Sequence, residues 1–189
     1  KFTLKALRAL HQFKRFLQVN ADIFIRTLSL TFAFGFFYSM SAEEGDLILA
    51  ANVILIQYLH WMSYGVDGFA YAAESLVGKY YGAKNEQRLS LAIHHSFYWG
   101  MGLAVFYGLT YGGLGDYLLA VFTNQADVMS TARPFLFWMA VLPIVGSPCY
   151  IWDGIYIGLT ASKAMRNSML AALVIYLLAY WLIGDHWNN

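Results

Sequence analysis

The chain has 189 residues, of which 59% are hydrophobic and 18% aromatic, with only 12% charged and a mean hydropathy of +0.50. A soluble domain carries about a quarter of its residues as charges, so half that share over this length excludes an ordinary soluble enzyme or a nucleic-acid-binding module. Lipid is the main solvent, and with a formal net charge of only +1 the information lies in where the charges sit.

The chain opens on Lys1 inside a basic amphipathic stretch, which reads as part of a longer polypeptide. Within residues 3–17, Leu4, Leu7, Leu10, Phe13 and Leu17 recur at helical spacing, with Lys5, Arg8, Lys14 and Arg15 largely on the other side. Such a helix is too short to span and is expected to lie in the membrane interface, its basic side chains snorkelling to water; a solvated helix or linker is the alternative.

Five apolar segments follow, at about Asp22–Met40, Leu47–Val77, Leu89–Tyr111, Val128–Gly158 and Ser168–Ile183. A helix needs about 20 residues to cross the hydrocarbon, so each suffices, and the second and fourth must tilt, bend or project. Pro143, Gly146 and Pro148 supply a bend in the fourth. Tyr38, Tyr80, Tyr81, Tyr111, Tyr117, Trp181 and Trp187 are placed to anchor span ends at the interface. Cys149, the single cysteine, lies in an apolar run and is expected as a small buried hydrophobe rather than half of a disulfide. The Gly78–Gly82 run reads as the loop after the second span, with helix packing as the alternative. Gly112-Gly113-x-Gly115 falls in a loop on the opposite side, without the strand–helix context of a nucleotide fingerprint.

All Lys and Arg residues except Arg26 and Arg133 fall before the first span, between the second and third, or between the fourth and fifth. Glu43, Glu44, Asp46, Asp116, Asp127 and Asp185 occupy the other side. The positive-inside rule then makes the N-terminus cytoplasmic. The expectation is an all-α integral membrane protein: five transmembrane helices after one N-terminal interfacial amphipathic helix.

Ionisable residues at membrane depth are functional candidates because their burial is costly. Asp22 and Arg26 are four residues apart and can pair on one helix, either as an interfacial ion pair or as part of a site. His60, Asp67 and Glu74 recur every seven residues, drifting only about 20° per step around the helix, and Tyr71 lies close to the same stripe. The stripe faces either a cavity or partner helices; Asp67 is the deeper carboxylate and Glu74 the one nearer the basic loop. Asp153 lies beyond the proline bend among Tyr150, Trp152 and Tyr156, where a carboxylate can exchange a proton or hold a cation with help from the rings, or serve as a structural carboxylate that pairs with Arg26 or with another helix. The adjacent His94 and His95 point to different faces and do not make a metal pair. No constellation of nucleophile and base appears, so no enzyme is expected.

VNADIFIRTL (19–28), YGVDGFAYAAESLVGKYYGAK (64–84) and YIWDGIYIGLTASKAMRNSM (150–169) resemble the DNA-damage-inducible, DinF-like branch of the multidrug and toxic compound extrusion (MATE) transporters. The resemblance implies twelve helices in two six-helix lobes, of which this chain would supply helices seven to eleven. It also implies a missing N-terminal lobe as partner, without helix twelve present here. Members export small organic cations in exchange for protons or sodium by alternating access in a lipid membrane, for this branch the bacterial inner membrane. Asp153 falls where sodium-coupled relatives carry a cation-binding aspartate, but the first span lacks their glutamate and holds Arg26. Proton coupling is therefore favoured, without a bound cofactor. The substrate or ion site implied is Asp153, Asp67, Glu74, Asp22, Arg26, Tyr71, Tyr156 and His60, with no metal site. A lipid-precursor flippase and a non-transporting assembly subunit are the alternatives.

Overall fold

The computed structural model describes the backbone of residues 4–187 and the side chains of residues 13–182. Lys1, Leu4, Lys5, Leu7, Arg8, Leu10, Asp185 and Trp187, named above for their side chains, lie outside the described side chains. The elements are α1 (Leu4–Glu43), α2 (Asp46–Gly82), α3 (Glu86–Phe122), α4 (Ala126–Ala132), a 3-10 turn (Arg133–Phe135), α5 (Leu136–Gly158) and α6 (Ser162–Trp187). Among the described residues, four segments are long and apolar enough to cross a membrane: Phe13–Glu43, Asp46–Gly82, Ala126–Gly158 and Ser162–Leu182. The long α3 is not among them, because its histidines, tyrosines, glycines and Asp116 dilute its apolar residues.

Several boundaries differ from expectation, each for a local reason. The interfacial helix expected at residues 3–17 is the opening of α1 itself, since no Gly or Pro interrupts the chain before Gly35. The fourth segment breaks at Arg133–Phe135, where Pro134 sits at the start of a 3-10 turn, whereas α5 runs on through Pro143 and Pro148. Gly78, Gly112, Gly113 and Gly115 are helical rather than in loops, because α2 continues to Gly82 and α3 to Phe122. True turns occur at Gly45 (φ 110°), Lys84 (φ 53°) and Thr160 (φ 55°). Left-handed backbone suits glycine at the first of these, and Asn85 closes the second by accepting the Arg88 amide at 3.0 Å to start α3.

The chain divides into two compact units, one of Phe36–Leu159 and one of the two chain ends, up to Gly35 and from Thr160. In the first, α2, α3 and α5 pack as a bundle. The buried face of α2 is Leu55, Tyr58, Met62, Val66, Ala70, Ala73 and Val77, a recurrence of three or four residues that forms one seam. Ser147 meets Met62, Gly154 meets Ala70 and Gly158 meets Glu74, so α5 runs parallel to α2. Gly65 meets Tyr107 and Tyr58 meets Gly115, so α3 runs antiparallel to α2.

In lipid no hydrophobic drive separates helix from solvent, so association depends on close fit and small residues at the interface. A Cβ on Gly154 would fall inside van der Waals contact of the Ala70 carbonyl oxygen, and one on Gly158 would lie 2.7 Å from that of Glu74. A Cβ on Gly108 would lie 2.8 Å from the Ala140 carbonyl of α5. Backbone meets backbone at these points, and only glycine permits it.

One tyrosine pair locks α2 to α3. Tyr58 donates to the Gly115 carbonyl and Tyr111 to the Tyr58 carbonyl, both at 2.8 Å, with the rings edge to face at 5.0 Å. Tyr111 is therefore core rather than an interfacial anchor; it is 1% exposed. Cys149 is exposed, not buried, since the outer surface of α5 is as apolar as its core and accepts a small thiol equally well. At the end of α1 that belongs to this unit, Asn52 donates to Ser41 at 2.9 Å.

In the second unit α1 and α6 run parallel. Asp22 is buried, and it accepts Arg166 Nη1 on one carboxylate oxygen and Ser162 Oγ, at 2.9 Å, on the other.

Two stability outcomes follow for the purified protein in detergent. Gly154→Ala is expected to destabilise by about 1–3 kcal/mol through overpacking, while Gly102→Ala, where nothing lies within 4 Å, is neutral or gains up to about 1 kcal/mol from helix propensity; thermal unfolding followed by circular dichroism compares them. Asp22→Ala strips Arg166 of its carboxylate and is expected to cost about 1.5–3 kcal/mol, the worth of a hydrogen bond to a charged group, with Ser162→Ala costing less in the same assay.

Candidate functional site

The stripe singled out on α2 lies beside the packed seam rather than in it. His60, Asp67 and Glu74 are all half-buried, while Tyr71, on the outer side of the same helix, is 69% exposed. The reason is angular: Asp67 follows the fully buried Val66 by 100° of helix rotation, which carries it to the flank of the α2 seam. His60 stacks on Tyr64, ring centroids 6.2 Å apart and planes 26° from parallel. Glu74 contributes its backbone to the helix contact, its carbonyl facing Gly158, while its side chain stays on the flank.

Asp153 is half-buried on α5, one residue before Gly154. Asp67 lies three residues before Ala70, the residue on which Gly154 rests. The two carboxylates thus sit within one turn of the tightest contact between two parallel helices. The α5 surface around Asp153 is aromatic: Trp152 stacks on the half-buried Tyr156 at 5.4 Å and meets Phe97 of α3 edge to face at the same distance. Carboxylates held partly out of water beside ring faces favour an organic cation, through charge and through the negative faces of the rings.

Asp22 and Arg26 belong to the other unit. The local reading paired them on one helix; the structure supplies Asp22 with Arg166 and Ser162, which sequence reasoning had counted only as loop residues. No spacing signal pointed to this pair, because its members are 144 residues apart. Among the described residues no three His, Cys, Asp or Glu side chains gather to hold a metal ion.

The chain is 35% identical over 178 residues to DNA damage-inducible protein F of Escherichia coli, covering 92% of this chain and 39% of that protein. It is 22% identical over 176 residues to Protein DETOXIFICATION 42 of Arabidopsis thaliana, covering 93% of this chain and 34% of that protein. The chain thus spans well under half the length of these curated relatives, and no solved structure matches it. The MatE family model matches residues 23–182, from within α1 to within α6, and by that match this helical membrane protein belongs to the MatE family.

Proposed function

We propose that the chain forms part of a secondary-active efflux antiporter that exchanges organic cations for protons by alternating access. The observation that carries this reading is the placement of Asp67 and Asp153, half-buried within a turn of the Gly154–Ala70 contact on neighbouring parallel helices. Carboxylates at membrane depth are costly and mark ion or substrate pathways. The family supports transport, and the name of the Arabidopsis relative fits the removal of harmful compounds.

The parallel course of α2 and α5 supports a five-span topology. Both are apolar enough to cross a membrane, so the chain must return between them, and the 37-residue antiparallel α3 is the element that does so. With five spans, the basic residues at the start of α1, around the α2–α3 junction and at the start of α6 collect on one side, which the positive-inside rule makes cytoplasmic; the membrane proposed is the bacterial inner membrane. The cycle belongs to a two-lobed protein in which these helices rock against a second lobe, as expected for repeat-built transporters.

Within this reading Asp153 and Asp67 carry the proton or the cation, with Tyr156, His60 and Tyr71 beside them and Glu74 nearer the basic exit. Asp22 has a different role. Both its oxygens are occupied by Arg166 and Ser162, so it ties α1 to α6, and Arg26 lies one turn further along the same helix.

Transport assays with the complete two-lobed protein in vesicles separate these roles. Asp153→Asn is expected to abolish substrate-dependent proton movement and Asp67→Asn to reduce it sharply, whereas Asp22→Asn lowers the yield of folded protein more than the turnover of what folds. An imposed proton gradient should drive export and a sodium gradient alone should not. Unchanged antiport in Asp153→Asn, followed by a pH-sensitive dye inside the vesicles, would remove Asp153 from the mechanism.

A further inference from the structure

In the unit formed by the chain ends, α1 and α6 border a cleft of about 590 Å³. Its wall includes Lys14 and Arg15 from α1, and Thr160, Ser162 and Lys163 where α6 begins. The one carboxylate in that wall, Asp22, is already held by Arg166 and Ser162. The ion pairs Arg133–Asp116 and Arg166–Asp22 do not involve Lys14, Arg15 or Lys163, so these three bring positive charge to the cleft. Arg15 is steered into it by a hydrogen bond from Nη2 to Thr160 Oγ1, at 3.2 Å.

The start of α6 adds to this field. The first amides of a helix have no acceptor within it and carry the positive end of its dipole. Here no acidic residue lies in the first turn, the preceding Ala161 has no capping side chain, and the Ser162 hydroxyl is committed to Asp22. Cations from two helices and an uncapped helix start therefore converge on one space, which is the composition of an anion site.

The depth of the cleft selects the anion. Lys14 and Arg15 precede the long apolar run of α1, and α6 carries its described cations, Lys163 and Arg166, in its first turns. Arg15 meets Thr160 while Asp22 meets Ser162 and Arg166, so the two helices run in the same direction. The cleft therefore lies at the level where both spans enter the hydrocarbon, which is the plane of the lipid headgroups. Basic pockets between spanning helices at that level bind anionic headgroups, and a guanidinium suits a phosphate geometrically. We propose that this cleft binds the phosphate of an anionic membrane phospholipid, held by Lys14, Arg15, Lys163 and the first amides of α6. The inference rests on the membrane placement of α1 and α6, and stands or falls apart from the transport reading.

The test is lipid retention by the purified full chain, read by native mass spectrometry from micelles holding equal amounts of phosphatidylglycerol and phosphatidylcholine. The unaltered chain is expected to keep phosphatidylglycerol selectively, and the triple variant Lys14→Gln, Arg15→Gln, Lys163→Gln to lose that preference by about tenfold or more. Lys163→Gln alone, at an exposed position, should lose about fivefold, which keeps the proposal testable if the triple variant does not fold. A control carrying Lys79→Gln and Arg88→Gln, basic residues of the other unit, should retain the preference, and millimolar inorganic phosphate should leave the lipid bound. Undiminished preference in the cleft variants, or equal loss in the control, overturns the site. Displacement by inorganic phosphate overturns its assignment to a lipid.

Discussion

Backbone-to-backbone contact between α2 and α5 is the constraint on which the bundle depends. Gly154 on the carbonyl of Ala70 and Gly158 on that of Glu74 bring two helices closer than any side chain would allow. In water the hydrophobic effect would reward burying larger groups at such an interface; in lipid it offers nothing, because the competing surroundings are equally apolar. Dispersion across a close fit is what remains. That contact sets the parallel course of the two helices, and the course in turn requires the long antiparallel return through α3. The tyrosine pair then fixes the register of that return: each hydroxyl satisfies a carbonyl on the opposite helix, so sliding α3 along α2 would leave two buried donors without acceptors.

The same solvent explains a surface that would be a liability in water. Phe106, Leu109, Val121, Phe137, Trp138 and Val145 are all exposed. For a soluble protein, apolar side chains exposed in such number would mark an unfilled interface; in a membrane protein, lipid accepts them. Exposure of Cys149 has the same origin. The rule that a cysteine in an apolar run is buried holds when the outside is water and fails when the outside is hydrocarbon.

Polar groups sort by depth and by partner. Asp22 is the most buried of the described carboxylates, and it is matched by a guanidinium and a hydroxyl, an arrangement that stabilises a charge where water is scarce. Asp67, Glu74 and Asp153 occupy flanks of helices whose seams beside them are filled by Val66, Ala70, Ala73 and Val77 on α2 and by Ile151, Gly154 and Ile155 on α5. A side chain on a flank can reach whatever enters beside the bundle without disturbing the packing that positions it. Separation of the rigid seam from the polar flank is what a helix needs if it is to carry both structure and a site.

The sequence by itself determined the fold class, the approximate reach of each long helix and the family, because these depend on composition, on helical periodicity and on contiguous motifs. The run 64–84 and the run 150–169 were legible as the segments holding Asp67, Glu74 and Asp153 for that reason. Helix ends were less legible: glycines at 78, 112 and 115 look like turn residues along the chain, and only the approach of α5 shows that they are packing positions. The partners of Asp22 were not legible at all. Arg26 is its neighbour in the chain, but Arg166 and Ser162 reach it from α6, at the opposite end of the sequence. Local spacing reports which residues can share one helix face; which face meets which is decided by packing between distant segments, and the ion pair, the basic cleft and the burial of Tyr111 all belong to that second level.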